Sequence, residues 1–426
     1  MPRPALPRIL SSALTLVMTV TTAGVVLLLS PPTAQAAPTA QHRSTDFAFY
    51  AQGHGTKIRG GQVPAGSRTT AFQAIGCTNL AGITKDNSVT DATLPGAGTV
   101  HGVTTKVMTR FRNGVASSIT KTHVARVVLG EGSGLGSVEL RAINATARAS
   151  HGTGGFKATF TSTLGSITFT DPLGMETDIP VPSPGQFVDI PGLVRIGMGA
   201  DHSHTTGSAA RAAGYAVVVR VIPTNTKVDI GRGRTIVAED VIHGLFHGNA
   251  AAIQTTAVQD NVKVGRQPLS IMPCQGSQGV LHEKALAGIT LDNGLDVQGL
   301  RSAYVGDQNQ RAAFGKTVGE VASINLGGGQ LVVDGIKGVA RVTRTTGGVK
   351  KSIKGSTIGS ITVNGDPQTF PPSDVIEVPG VVRLERNVTH RGKIGISVIA
   401  LRVTLLDGSG AVIDLGTAHL AIRKKR

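Results

Sequence analysis

The chain has 426 residues, with 42 Lys and Arg against 26 Asp and Glu for a net charge of +16, and it holds 56 Gly, three Tyr, two Cys and no Trp. So few aromatic faces argue against sites that stack bases or sugar rings, and neither specific nucleic-acid binding nor sugar binding is expected. Abundant Gly, Val and Thr, with few Leu/Glu/Lys-rich stretches, favour strands and turns over helices.

At the N-terminus Arg3 and Arg8 precede an apolar stretch from Leu10 to Leu29, then Pro31, Pro32 and Ala34-Gln35-Ala36. This basic, apolar, small-residue order is that of a cleaved export signal, residues 1–36, with the cut expected after Ala36. A retained anchor is the alternative, because the apolar run is close to bilayer-spanning length. Without residues 1–36, which carry Arg3 and Arg8, 390 residues remain, with 40 Lys and Arg against 26 acidic residues and a net charge of +14. The expected location is outside the cell or on its surface, with no membrane span once the signal is gone. Residues 37–45 are polar and are expected to form a disordered leader.

The rest of the chain repeats itself. Leu80-Ala81-Gly82-Ile83-Thr84 returns as Leu286-Ala287-Gly288-Ile289-Thr290, and Gly165-Ser166-Ile167-Thr168 as Gly359-Ser360-Ile361-Thr362. Ile190-Pro191-Gly192-Leu193-Val194-Arg195-Ile196 matches Val378-Pro379-Gly380-Val381-Val382-Arg383-Leu384, and Val228-Asp229-Ile230-Gly231 matches Ile413-Asp414-Leu415-Gly416. The blocks keep their order while the offset shrinks, as loop deletions in a second copy would produce. Two diverged copies are expected, residues 46–238 and 241–426, each long enough to bury its own core.

Within the copies, Val138 to Ala149 and Leu331 to Thr343 alternate as strands, each after a glycine-rich turn, Gly130 to Gly136 or Gly327-Gly328-Gly329. Pro191-Gly192 and Pro379-Gly380 suit the central positions of type II turns. Val217 to Ile222 and Ile399 to Leu406 are β-branched runs with one interrupting Arg, expected to be strands buried on both faces. Strands and turns at short intervals predict an all-β fold of two tandem β-sandwich-like domains, with a β-solenoid as the alternative.

Cys77 and Cys274 fall one in each copy, and export would permit a disulfide that clamps the halves; two separate buried thiols are the other reading. Candidate chemistry is thin. Asp201-His202-Ser203-His204 offers metal-type ligands, but a third must come from elsewhere and the second copy supplies only His390 nearby, so a polar loop is expected and no metal. His243 and His247 stand four apart, yet Gly244 and Gly248 make a helix poor there. His282-Glu283 opens like a zinc-protease helix, but Leu286 stands where the second His is needed. No Gly-x-Ser-x-Gly nucleophile elbow and no phosphate loop occurs. Asp229 and Asp414 hold one position in both copies, too few oxygens for calcium, and are expected to face outward on a strand or turn.

The ordered blocks, with a Cys near a Gly-rich start, Gly-Ser-Ile-Thr, the Pro-Gly turn, the Arg-interrupted valine strand and Val-Asp-Ile-Gly, resemble the choice-of-anchor P proteins of actinobacteria. That resemblance implies a secreted or surface protein, with no enzyme activity, no cofactor and no catalytic residue. This chain has no sortase-type Leu-Pro-x-Thr-Gly sequence. Its basic residues are scattered except for Arg423-Lys424-Lys425-Arg426, expected to be a solvated tail. Scattered charge serves solubility. The functional reading is a structural or adhesive role held to anionic cell-envelope polymer by positive charge, with the oligomeric state left open. The competing class is a secreted enzyme or ligand-binding protein with a site where the copies meet, near His202, His204, His243 and His247.

Overall fold

The computed structural model describes residues 42–60, 69–256, 263–291, 295–406, 408 and 411–426. The export signal and the leader up to residue 41 lie outside these residues. Arg43–Thr45 do not belong to a disordered leader: they are paired in the first strand, where Thr45 Oγ1 donates to the Asn79 carbonyl at 3.0 Å.

Strands make up 74% of the structure and no helix occurs among the described residues. The first fourteen strands are β1 (Arg43–Gly60), β2 (Gln73–Ala81), β3 (Thr84–Leu94), β4 (Gly98–Arg112), β5 (Val115–Leu129), β6 (Ser137–Gly152), β7 (Gly155–Thr163), β8 (Ser166–Thr170), β9 (Glu176–Ile179), β10 (Phe187–Ile190), β11 (Val194–Asp201), β12 (His204–Thr206), β13 (Ala209–Val221) and β14 (Thr226–Ala238). They form two antiparallel sheets, ordered β10-β11-β13-β14-β1-β2 and β3-β4-β5-β6-β8-β9.

The remaining strands are β15 (Gly244–Thr256), β16 (Lys263–Met272), β17 (His282–Leu291), β18 (Leu295–Gln308), β19 (Ala312–Leu326), β20 (Leu331–Thr345), β21 (Gly348–Ser352), β22 (Ile361–Val363), β23 (Asp366–Gln368), β24 (Val375–Val378), β25 (Val382–Arg391), β26 (Gly395–Leu405) and β27 (Val412–Lys424). Their sheets run β24-β25-β26-β27-β15-β16 and β17-β18-β19-β20-β22-β23, the same two topologies again. The fold is therefore all-β and sandwich-like, with four separate antiparallel sheets and no solenoid among the described residues.

Each pair of sheets closes on its own apolar interior. In the first, Val228 and Ile230 of β14 meet Val103, Val127, Leu140 and Ile143 of the facing sheet; in the second, Ile413 and Leu415 meet Val297, Leu300, Ile324 and Val333. The turn blocks behave alike: Leu193 N donates to Ile190 O and Val381 N to Val378 O, each at 3.0 Å, with Gly192 at φ 72° and Gly380 at φ 71°, the left-handed conformation a type II turn requires at that position. Gly165 N and Gly359 N also donate to equivalent carbonyls, Arg141 O and Asp334 O, both at 2.9 Å.

Register corrects three details of the sequence reading. Leu94 pairs with Gly98 and Leu291 with Leu295 at the ends of equivalent hairpins, an offset of 197. The Leu-Ala-Gly-Ile-Thr blocks, 206 apart, are thus nine residues out of step, one turning the β2–β3 corner and the other inside β17. Similarly, Arg220 pairs with Arg195 while Arg402 pairs with Glu385, so the two interrupting arginines occupy different rungs. Finally, β13 and β26 are buried on one face and not on both, because Val218, Arg220, Arg402 and Thr404 point away from the sandwich interior.

The same offset of 197 makes Cys77 and Cys274 equivalent, and the structure joins them in a disulfide with Cα atoms 5.4 Å apart. Around it Ala48, Ala209, Ile236 and Ala238 of the first set meet Val241 and Leu245 of the second. Gln308 Oε1 accepts from the backbone N–H groups of Ile242, His243 and Gly244, which fixes the connecting segment. The C-terminal basic run is no free tail: Asn79 donates to Arg426 O at 2.6 Å and accepts from Arg426 N at 3.2 Å, and Lys425 pairs with Asp46 at 2.8 Å. Asn79 is buried, so an unpaired side-chain amide would be costly there, and Arg426 together with the Thr45 carbonyl satisfies it.

Candidate anion-binding site

On the outer face of the first sheet, backbone register lines up side chains from five adjacent strands. Asp189 of β10 stands opposite Arg195 of β11, Arg195 opposite Arg220 of β13, Arg220 opposite Lys227 of β14, and Lys227 opposite Arg59 of β1. Alternation forces them outward, because Val194, Ile196, Val219, Val221, Val228 and Ile58 beside them are all in the core. With strands about 4.8 Å apart, the four cations span roughly 14 Å. Like charges directly opposite one another destabilise a sheet, so this row needs counter-charge.

Among the described residues the protein supplies only half of it. Asp189 lies 3.6 Å from Arg195, and Asp229 is shared between Arg59 and Lys227, the latter at 3.6 Å. Arg220 has the neutral Asn225 Oδ1 at 2.8 Å. Two carboxylates thus face four cations. Asp229 has a fully buried side chain, against the sequence expectation that it faces solvent; the arginine and lysine stems cover it. Burial works against the Arg59 guanidinium, but the charge and hydrogen bonds of Asp229 outweigh it and raise its pKa. The neighbouring Lys57 is lowered by burial first and then by Arg59 and Arg232.

The next rung gives the row a floor. Phe187, Gly197, Val218 and Asp229 are successive cross-strand partners. A Cβ on Gly197 would stand 2.5 Å from Phe187 Cε1, so only glycine lets the ring lie on the sheet. Arg195 stacks over that ring at 4.7 Å from its centre, a cation–π contact. The cavity between ring, Val218 and cations measures about 550 Å³. It can hold a group with several negative charges and an apolar part.

The second copy lacks this site. The matching row runs Glu377, Arg383, Thr404, Val412, Thr256, and the matching rung runs Val375, Glu385, Arg402, Asp414. Arg402 occupies the place of Val218 and grips Asp414 with two hydrogen bonds, 2.7 and 3.2 Å; Arg383 lies 3.4 Å from Glu385. Each cation there has its own carboxylate. Asp414 is nearly buried as well, so it too departs from the outward-facing expectation.

Replacing Asp229 isolates the cost of the shared counter-charge. Asp229→Asn is expected to lower stability by about 2–3 kcal/mol, below the 3–5 kcal/mol of a fully buried pair because Arg59 is half exposed. Urea unfolding at neutral pH measures it, and an unchanged midpoint would mean the row is held together otherwise.

The residues singled out from sequence are dispersed. His202 and His204 sit at the exposed β11–β12 corner, where Ser203 N donates to Asp201 Oδ1 at 2.7 Å. His243 lies in the connecting segment and His247 in β15 against Gly76 and Cys77. His282 stacks on Tyr304 in a strand and Glu283 pairs with Arg301, so no protease helix exists there. Among the described residues no three His, Cys, Asp or Glu side chains gather as a metal centre. Arg59, Arg195, Arg220 and Lys227 escaped the sequence reading because they are far apart in the chain and meet only through register. Comparison with known protein families and with curated proteins gives no match for this chain.

Proposed function

We propose that the chain is a secreted, non-catalytic protein of the bacterial cell surface that captures anionic envelope polymer on the cationic row of its first copy, in keeping with the resemblance to choice-of-anchor P proteins. One observation carries the reading: four cations in register over a phenylalanine floor, facing two carboxylates, at a place where the second copy gives each cation its own carboxylate. A polyanion laid across the row would supply the missing counter-charge. The overall positive charge would draw such a polymer toward the surface, and the row would fix where it sits.

Long-chain inorganic polyphosphate is the test ligand. Arg195→Gln with Arg220→Gln is expected to weaken its binding at least about tenfold at physiological ionic strength, where the screening length is about 8 Å. Lys106→Gln with Lys121→Gln removes the same charge from the other sheet, where those two lysines are exposed cross-strand partners, and should weaken binding far less. Equal losses in both double variants would mean diffuse attraction without a site.

A further inference from the structure

The turns at the end of the first sandwich nearest the cationic row expose apolar side chains that no other described residue covers. Leu173 is 88% and Met175 68% exposed in the β8–β9 turn, and Leu135 and Ile222 are also exposed in neighbouring turns. These turns share one end. Thr224 Oγ1 donates to Gly96 O at 2.6 Å, Leu193 packs on Gly130, Leu135 on Gly192, and Gly136 abuts Thr170 and Asp171. Arg195, Arg220, Lys227 and Arg59 each stand one residue behind that end, beside Val194, Val221, Thr226 and Gly60.

The β8–β9 turn is a built structure. Asp171 Oδ1 accepts from Leu173 N at 2.9 Å and Met175 N at 2.8 Å, and Gly174 N donates to Asp171 O at 3.0 Å. Ordering two apolar side chains in full contact with water gains nothing for the fold. In the second copy the equivalent turn is the two-residue Asn364-Gly365, and Gly327-Gly328-Gly329 replaces the turn that carries Leu135. The exposed leucine and methionine thus occur in the copy that has the cationic row.

We infer that this end of the first copy docks on an anionic lipid bilayer, with Leu173 and Met175 entering the headgroup layer and the row behind them facing lipid phosphates. The inference rests on the proposed anion binding for its charges and on the turns for its apolar contact. Apolar tips at one end, with the cationic row one residue behind that same end, supply the two terms of interfacial membrane binding, buried apolar area and attraction to anionic lipid.

The chain has no Trp, so Leu173→Trp places a single reporter at the tip. The purified Leu173→Trp chain is expected to sediment with phosphatidylcholine vesicles containing phosphatidylglycerol and not with phosphatidylcholine alone, and its emission should shift to the blue on binding. Leu173→Ser with Met175→Ser should weaken vesicle binding at least about tenfold, as loss of two buried apolar side chains implies, and leave polyphosphate binding unchanged. Binding without a blue shift, serine variants that sediment like the parent, or no vesicle binding at all would each overturn the docking inference. Loss of polyphosphate specificity for Arg195 and Arg220 would instead overturn the anion-site reading, so the two failures are separable.

Discussion

Acidification to about pH 4.5 is expected to cost the fold on the order of 5 kcal/mol through two buried histidines. His54 of β1 is 3% exposed and neither ring nitrogen has a hydrogen-bond partner. Burial first, then the charges of Arg232, Lys57 and Arg59, lower its pKa to about 3. His247 is lowered to about 4, chiefly by burial and then by Arg423 and His419, against a backbone hydrogen bond at Cys77. In the unfolded chain both titrate near 6.5. Between about 6.5 and the folded values the unfolded state therefore binds more protons. The stability is fully present above about pH 6.5 and is lost as pH falls through the window toward 4 for His247 and 3 for His54.

Each histidine accounts for about 2.5 kcal/mol at pH 4.5, with His247 contributing somewhat less because its side chain is only partly buried. Burial lowers His419 as well, which adds in the same direction. Glu139 and Glu320 lose their ion pairs only below their ordinary range near 4.5, so their contribution falls lower on the pH scale. Urea midpoints measured from pH 7.5 to 4 give the curve. His54→Gln should flatten it by nearly half, whatever the substitution does to stability at neutral pH. Parallel curves for parent and variant would show that His54 is already protonated in the native state or reached by water.

Much of the fold could be read from sequence because its signals are local. A Pro-Gly turn followed by Val194-Arg195-Ile196 carries its own geometry, and the Val-Asp-Ile-Gly blocks mark the same strand twice. The Leu-Ala-Gly-Ile-Thr blocks misled because short apolar-and-glycine segments recur without structural equivalence; only the ladder partners of Leu94 and Leu291 fix the frame. The burial of Asp229 and Asp414 was hidden for a related reason. An aspartate between aliphatic residues looks solvent-facing until a guanidinium from another strand is known to lie over it, and the partner is Arg59 in one copy and Arg402 in the other. The cationic row is the extreme case. Its four members span residues 59 to 227, and one step of register in any of four strands would send a side chain to the opposite face.

Loss of the Cys77–Cys274 bridge is expected to act on the contact between the copies more than on either sandwich. The bridge closes a loop of 197 residues, for which chain entropy gives about 5 kcal/mol of stabilisation. Neither cysteine belongs to the two large interiors; both sit in the small cluster of Ala48, Ile236, Val241 and Leu245 between the copies. Cys77→Ser with Cys274→Ser should therefore leave two folded sandwiches whose contact opens readily. Hydrogen exchange would be faster along β2 and the start of β15, and protection of the Asn79 contact with Arg426 would be lost. Opening also admits water to His247, which lies against Gly76 and Cys77, and leaves His54 in place on β1. The acid sensitivity of the double serine variant should then shrink by the His247 share alone, and adding His54→Gln should remove most of the remainder. If the double variant keeps the parent's exchange pattern and pH curve, the apolar cluster alone holds the copies together and the bridge is dispensable.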